Sequence, residues 1–163
     1  VALFSDKKVA GRIDASGVSW KGTKVSKRLG RIKNAFAPLP KLRATSPADY
    51  EMEVKNLYGR LRDTYERIVE EIIFCDIVQR GVDAVQTQKL RMVHLSHALA
   101  IRFHEGMTKA NTHSHDNPAA ETVAVPEPDE FLADIGFVEE LIKDLKAESQ
   151  VTEAARPQMK AKA

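Results

Sequence analysis

A short cluster of metal-ligand residue types lies near the middle of the chain. His113, His115 and Asp116 form an H-x-H-D pattern in a segment rich in small residues. Imidazole and carboxylate groups are ligands for zinc, manganese and iron, and a loop can fold them around one ion. Because a closed zinc site needs four ligands, His104 or Glu105 would have to supply the fourth. The alternative is an exposed polar loop in which Asp116 caps a turn.

A second candidate site is a group of cations near the amino end. Residues 1–46 carry eleven Lys and Arg against two Asp, whereas residues 47–163 carry fourteen against twenty-one Asp and Glu. Three interpretations stay open: a solvated or intramolecular face, a surface for a protein partner, or contact with DNA or RNA phosphates. The candidate binding residues crowd one short predicted helix: Lys24, Lys27, Arg28, Arg31 and Lys33.

Enzymatic chemistry has little support in the residues. Gly11 and Gly17 are one position too far apart for a phosphate-binding loop, and Val18 stands where Lys is needed. The single cysteine, Cys75, excludes an internal disulfide and predicts a reducing, cytoplasmic location. It lies on a predicted apolar helical stripe, which favours a buried structural thiol. No apolar run approaches the roughly 20 residues of a membrane span, so no membrane partner is expected.

Four helices can be predicted from apolar spacing and from helix-capping residues. The first runs from Lys24 to about Phe36 and ends before two prolines. The second runs from about Pro47 to Gln79 and is terminated by Gly81. The third spans about 97–109 after a Ser96 cap, with Ala98, Ile101 and Met107 predicted to face inward. The fourth spans about 129–148. Residues 82–93 are ambiguous and include a possible short strand.

The predicted architecture is all-α, with the long helix packed against the C-terminal helix and two shorter ones. The domain prediction is an irregular segment over 1–20 (loop, or strand that needs a partner), a helical module over 21–148 and a disordered tail over 149–163. The apolar stripe of the long helix fits an antiparallel bundle or a coiled-coil-like homodimer.

Several short motifs occur in an order that points to a family. They are Val25–Ile32, Leu57–Ile72, Val85–Leu90, Gly106–Lys109, His115–Asp116, Val125–Asp129 and Ala133–Ile135. Together they resemble the C-terminal region of large bacterial AAA-family ATPases of the SMC-like, ABC-type kind.

The resemblance implies a non-catalytic interaction and regulatory module, because that family carries its nucleotide-binding motifs upstream of this region. ATP and magnesium are then expected only in the parent protein, with no cofactor in this chain. The expected partners are the remainder of the parent ATPase or another protein. The family is linked to DNA transactions and to defence against foreign DNA.

Overall fold

Five α-helices make up most of the computed structural model, which describes residues 20–114 and 123–159. They are α1 (Val25–Phe36), α2 (Leu39–Thr45), α3 (Pro47–Ile68), α4 (His97–His113) and α5 (Pro128–Ala155). A π-helical turn, Val69–Ile73, extends α3, and 3-10 turns span Thr87–Met92 and Pro157–Met159. The described ranges contain no strand, so the predicted all-α class is confirmed.

Helix α3 lies at the centre, and the other helices pack around it. The buried apolar side chains of its stripe are Tyr50, Val54, Leu57, Tyr58, Leu61, Tyr65 and Ile68. The Phe131 ring of α5 stacks on Phe36 of α1, with centroids 4.8 Å apart, and meets the Tyr58 ring edge-on at 5.0 Å. The stripe on which the homodimer prediction depends is therefore covered by helices of the same chain.

The prolines after α1 have two effects. Helix α1 ends at Phe36, as the sequence predicts, because proline lacks the amide hydrogen that a continuing helix needs. The short helix α2 was not predicted. Pro40 lies in its first turn, where a missing amide hydrogen costs nothing.

The long helix is shorter than predicted. It ends through the π-turn at Ile73 rather than at Gln79, because Cys75 and Asp76 take left-handed backbone angles (φ 53° and 54°). Cys75 is therefore not on a helix; it is partly exposed, and its thiol donates to the Ile72 carbonyl over 3.3 Å. The possible strand over 82–93 is instead irregular backbone followed by the Thr87–Met92 turn.

Helix α4 starts where the sequence predicts it, but it presents a different face to the core. The Ser96 hydroxyl accepts a hydrogen bond from the Leu99 amide at 3.4 Å. Ala98 and Ile101 are exposed, which corrects two of the three inward positions. The packed side chains are Leu99, Phe103, Met107 and Ala110. Their spacing of four, four and three is the periodicity of one helix face.

Helix α5 continues past residue 148, so the predicted disorder is wrong for residues 149–159. Long-range polar contacts hold this end. The Ser149 hydroxyl donates to the Met92 carbonyl (3.0 Å), and Glu153 pairs with Arg91 (2.8 Å). Residues 1–19 and 160–163 of the predicted irregular ends lie outside the described residues. Within the described ranges, no helix is long and apolar enough to cross a membrane.

Candidate functional site

The histidine cluster is only partly within the described structure. His113 is the last residue of α4, and its ring lies 5.0 Å from that of Tyr58. Burial, followed by the nearby Lys109, lowers the pKa of His113, so its imidazole is neutral at pH 7. His115 and Asp116 lie outside the described residues. Within residues 20–114 and 123–159, no three His, Cys, Asp or Glu side chains are grouped to hold a metal ion.

One of the five candidate cations has a structural role. Arg28 is only 4% exposed. Its guanidinium donates to the backbone carbonyls of Thr23 (2.9 Å), Asp63 (2.6 Å) and Lys21 (3.0 Å), and it lies 5.0 Å from the centre of the Trp20 ring. A side chain that satisfies three carbonyls inside the fold is not available to a phosphate. Its position could have been noticed from the sequence, since Arg28 shares a helix face with Val25 and Ile32.

The remaining cations divide between paired and exposed positions. Lys33 forms an ion pair with Glu139 of α5, and Arg31 donates to the Thr23 hydroxyl at 3.4 Å. Lys24 and Lys27 are exposed and form no ion pair with any described residue. Beyond this set, Arg43 pairs with Glu127 at 2.6 Å. Part of the opposite charge of the two halves is thus matched inside the chain.

A polar junction joins the start of α1 to the turn after α3. The Glu71 carboxylate accepts hydrogen bonds from the Val25 amide (3.1 Å) and from Arg67 (3.2 Å). The same guanidinium reaches Glu70 (3.0 Å) and Asp76 (3.3 Å). Arg67 thereby holds the left-handed turn in place. This junction could not be predicted from the sequence, because Val25 lies 46 positions from Glu71 and the other members read as an ordinary run of charged residues.

The segment that follows the junction, residues 74–90, is here called the apolar loop. Its large apolar side chains face solvent: Phe74 is 52% exposed, Val78 64%, Val82 48%, Val85 54% and Leu90 50%. Monomeric soluble proteins expose isolated apolar residues routinely, but five within one short segment make this loop a candidate contact surface. The sequence does not reveal this surface, because Val78 falls within the predicted long helix and Val82 and Val85 fall within the segment read as a possible short strand.

The apolar loop has a defined base despite its exposed side chains. The Gln86 amide donates to the Ile77 carbonyl over 2.8 Å, which brings the two ends of the outer section together. Ile77 itself is buried, and Arg80 forms an ion pair with Glu70 of the π-turn. The valines between residues 77 and 86 are thus presented by a closed loop anchored to α3.

Comparison with protein-family models, with curated proteins and with solved structures gives no significant match to this chain.

Proposed function

We propose that this chain is a non-catalytic interaction and regulatory module of a larger ATPase, and that it docks on its partner through the apolar loop. The observation that carries the proposal is the row of exposed apolar side chains on a loop whose base is fixed. The resemblance of Leu57–Ile72 and the other short motifs to the end of such ATPases supplies the partner: the nucleotide-binding part of the parent protein.

The energetics favour docking through this surface over docking through the cations. Fully burying an exposed valine side chain contributes about 1.5 kcal/mol or more. The three valines and Phe74 are already about half buried, so covering each of them contributes roughly half of its full value, and together they can supply a substantial part of the free energy of a weak interface. Exposed lysines contribute less, because water and salt screen their charge. The alternative function, nucleic-acid binding through α1, could use the exposed Lys24 and Lys27 but not Arg28, which is buried in the core.

Site-specific photo-crosslinking in the native host tests the proposal. A photoreactive amino acid replaces Val82 in the full-length protein, and crosslinked peptides are identified by mass spectrometry. The matched control places the same group at Glu53, an exposed position on α3. The expected result is a crosslink from position 82 to peptides of a nucleotide-binding domain, and none from position 53.

A second variant tests whether the apolar contacts produce that crosslink. Replacing both Val78 and Val85 by Ser leaves the base of the loop intact and removes two flanking apolar contacts. The crosslink yield at position 82 is then expected to fall roughly tenfold, since about 1.4 kcal/mol is lost. Equal yields at positions 82 and 53, or crosslinks at 82 only to proteins without a nucleotide-binding domain, contradict the proposal.

A further inference from the structure

A cavity of about 300 Å³ lies between α3, α4 and α5. Aromatic side chains from two of these helices line it: Tyr58 and Tyr65 of α3, and Phe137 of α5. Asp134, Lys109 and Glu105 supply its polar groups. A cavity of this size with a mainly apolar lining and a few convergent polar groups is typical of small-molecule sites. It is separate from the apolar loop on which the proposed function depends.

One side of the cavity is a polar network whose members satisfy one another. The Tyr58 hydroxyl donates to Asp134 at 2.6 Å, and the Lys109 ammonium contacts the other oxygen of that carboxylate at 2.7 Å. Glu130 pairs with the same ammonium at 3.0 Å. The single lysine of the cavity is therefore held by two carboxylates and has little positive charge to offer an anion.

Two other groups at the cavity have no side-chain partner among the described residues. Tyr65 is 1% exposed, and its hydroxyl forms no hydrogen bond with any described residue. Gly106 leaves the room for that hydroxyl, since a Cβ at this position would lie 1.9 Å from the Tyr65 Oη. Glu105 is exposed, lines the cavity and forms no ion pair with a described side chain. Burial raises the pKa of Tyr65, so the hydroxyl keeps its proton and remains a donor.

The charge balance selects the class of ligand. Glu105 and Asp134 at the cavity and the neighbouring Glu130 carry three negative charges against one on Lys109. A second cation, Arg102, lies 5.7 Å from the centre of the Phe137 ring, but it pairs with Asp144, so the surroundings remain net negative. Aromatic rings attract cations through their quadrupoles, and cages of aromatic and acidic side chains recognise alkylated ammonium groups. We propose that this cavity binds a small organic ammonium ion. The charged nitrogen lies near Glu105 and the aromatic side chains, and a hydrogen-bond acceptor of the same ligand binds the Tyr65 hydroxyl.

Three probes of matched shape and different charge test the proposal on the full chain. Choline carries a trimethylammonium group and a hydroxyl. Neohexanol (3,3-dimethylbutan-1-ol) has carbon in place of the choline nitrogen and is uncharged. The anion 3,3-dimethylbutanoate has the same tert-butyl group and a carboxylate. Binding is followed by amide chemical shifts in a two-dimensional NMR titration. Choline is expected to bind with a dissociation constant of roughly 1 mM and to shift the amides of Gly106 and Lys109. The two other probes are expected to bind at least roughly tenfold more weakly.

Variants with matched controls then locate the site. Ala133 is exposed at the cavity, so Ala133→Leu fills the cavity without disturbing the core. This variant is expected to abolish choline binding. The control, Ala147→Leu on the same helix, is expected to leave choline binding unchanged. Glu105→Gln is expected to weaken choline roughly fivefold, with Glu53→Gln as its control.

Three results overturn the proposal. One is neohexanol binding as tightly as choline, which removes the role of charge. Another is choline binding to Ala133→Leu with unchanged affinity, which places the ligand elsewhere. The third is the absence of any choline-dependent shift at Gly106 or Lys109 up to roughly 50 mM.

Discussion

Substituting Gly106 by Ala tests the packing of α3 against α4. A Cβ at this position would lie 1.9 Å from the Tyr65 Oη, 2.6 Å from its Cζ and 2.9 Å from the Phe137 Cε1. None of these distances is tolerated between non-bonded atoms, so the Tyr65 ring must move. Tyr65 is buried and its ring packs edge-on against Phe103 with centroids 5.3 Å apart, so a shift of the ring, even toward the neighbouring cavity, disturbs that packing.

The size of the effect follows from two opposing terms. Overpacking a buried position costs about 1–3 kcal/mol, and overlaps this close with a buried ring belong at the upper end. Alanine gains about 1 kcal/mol over glycine inside a helix. We therefore expect Gly106→Ala to lower the free energy of unfolding by about 2 kcal/mol. For a chain of this length that corresponds to a fall in Tm of roughly 4–8 °C.

Two other helical glycines provide matched controls. Gly30 in α1 and Gly136 in α5 have no atom within 4 Å of a Cβ built on them. Alanine at either site is expected to raise the free energy of unfolding by about 0.5–1 kcal/mol through helix propensity alone. Urea unfolding followed by circular dichroism measures all three variants under one set of conditions.

The Tyr65 hydroxyl supplies a further check. In a Tyr65→Phe background the 1.9 Å overlap disappears and the 2.6 Å contact with Cζ remains, so the cost of alanine at position 106 should fall without vanishing. The reasoning is refuted if Gly106→Ala is as stable as the unmodified chain while both control glycines gain stability. It is also refuted if the cost is the same with and without the hydroxyl.

Three further predictions concern other parts of the molecule. If DNA contact is made by the two exposed cations that form no ion pair with a described residue, Lys24 and Lys27, an anisotropy titration should give a log–log salt slope of about −2; a slope of about −5 or steeper contradicts this. Tyr58→Phe should lower the free energy of unfolding in urea by about 2 kcal/mol, because a carboxylate loses its hydroxyl donor; a loss below about 0.5 kcal/mol contradicts the bond. His113 has a pKa below 6.5 in the fold, so the unfolded chain binds more protons and stability falls as pH drops below about 6.5. A His113→Phe variant should lose less stability between about pH 7 and pH 5 than the parent chain, and equal losses refute the assignment.

The parts of the fold that repeat at helical spacing could be predicted from the sequence. Helices α1 and α3 are present because their apolar residues recur every three or four positions over several turns. The end of α3 could not be predicted, since Cys75 and Ile77 continue the same spacing past the point where the backbone leaves the helix. The turn at that point is held by a side-chain contact, in which the Arg67 guanidinium binds Asp76 nine positions later, and residue types alone do not encode this contact.

The candidate sites show the same limit. Counting charges predicts a basic surface on α1, but only the packing shows that Arg28 points inward to three backbone carbonyls. Residues 149–155 contain few apolar side chains and so appear unstructured by composition. They are helical because Ser149 and Glu153 reach partners more than fifty positions away. The cavity combines residues of three helices, and no sequence pattern brings Tyr65 and Glu105 together.

The Glu71 carboxylate accepts hydrogen bonds from two parts of the chain and so links them energetically. One carboxylate closes the first turn of α1 at Val25 and also holds Arg67, which in turn holds Asp76 of the apolar loop. A partner that displaces the apolar loop changes the free energy of the contact between Val25 and Glu71. By thermodynamic reciprocity, a change in that contact alters the free energy of partner binding by the same amount. If the apolar loop docks on a partner as proposed, a change in the contact at Val25 alters the affinity of that surface without touching it.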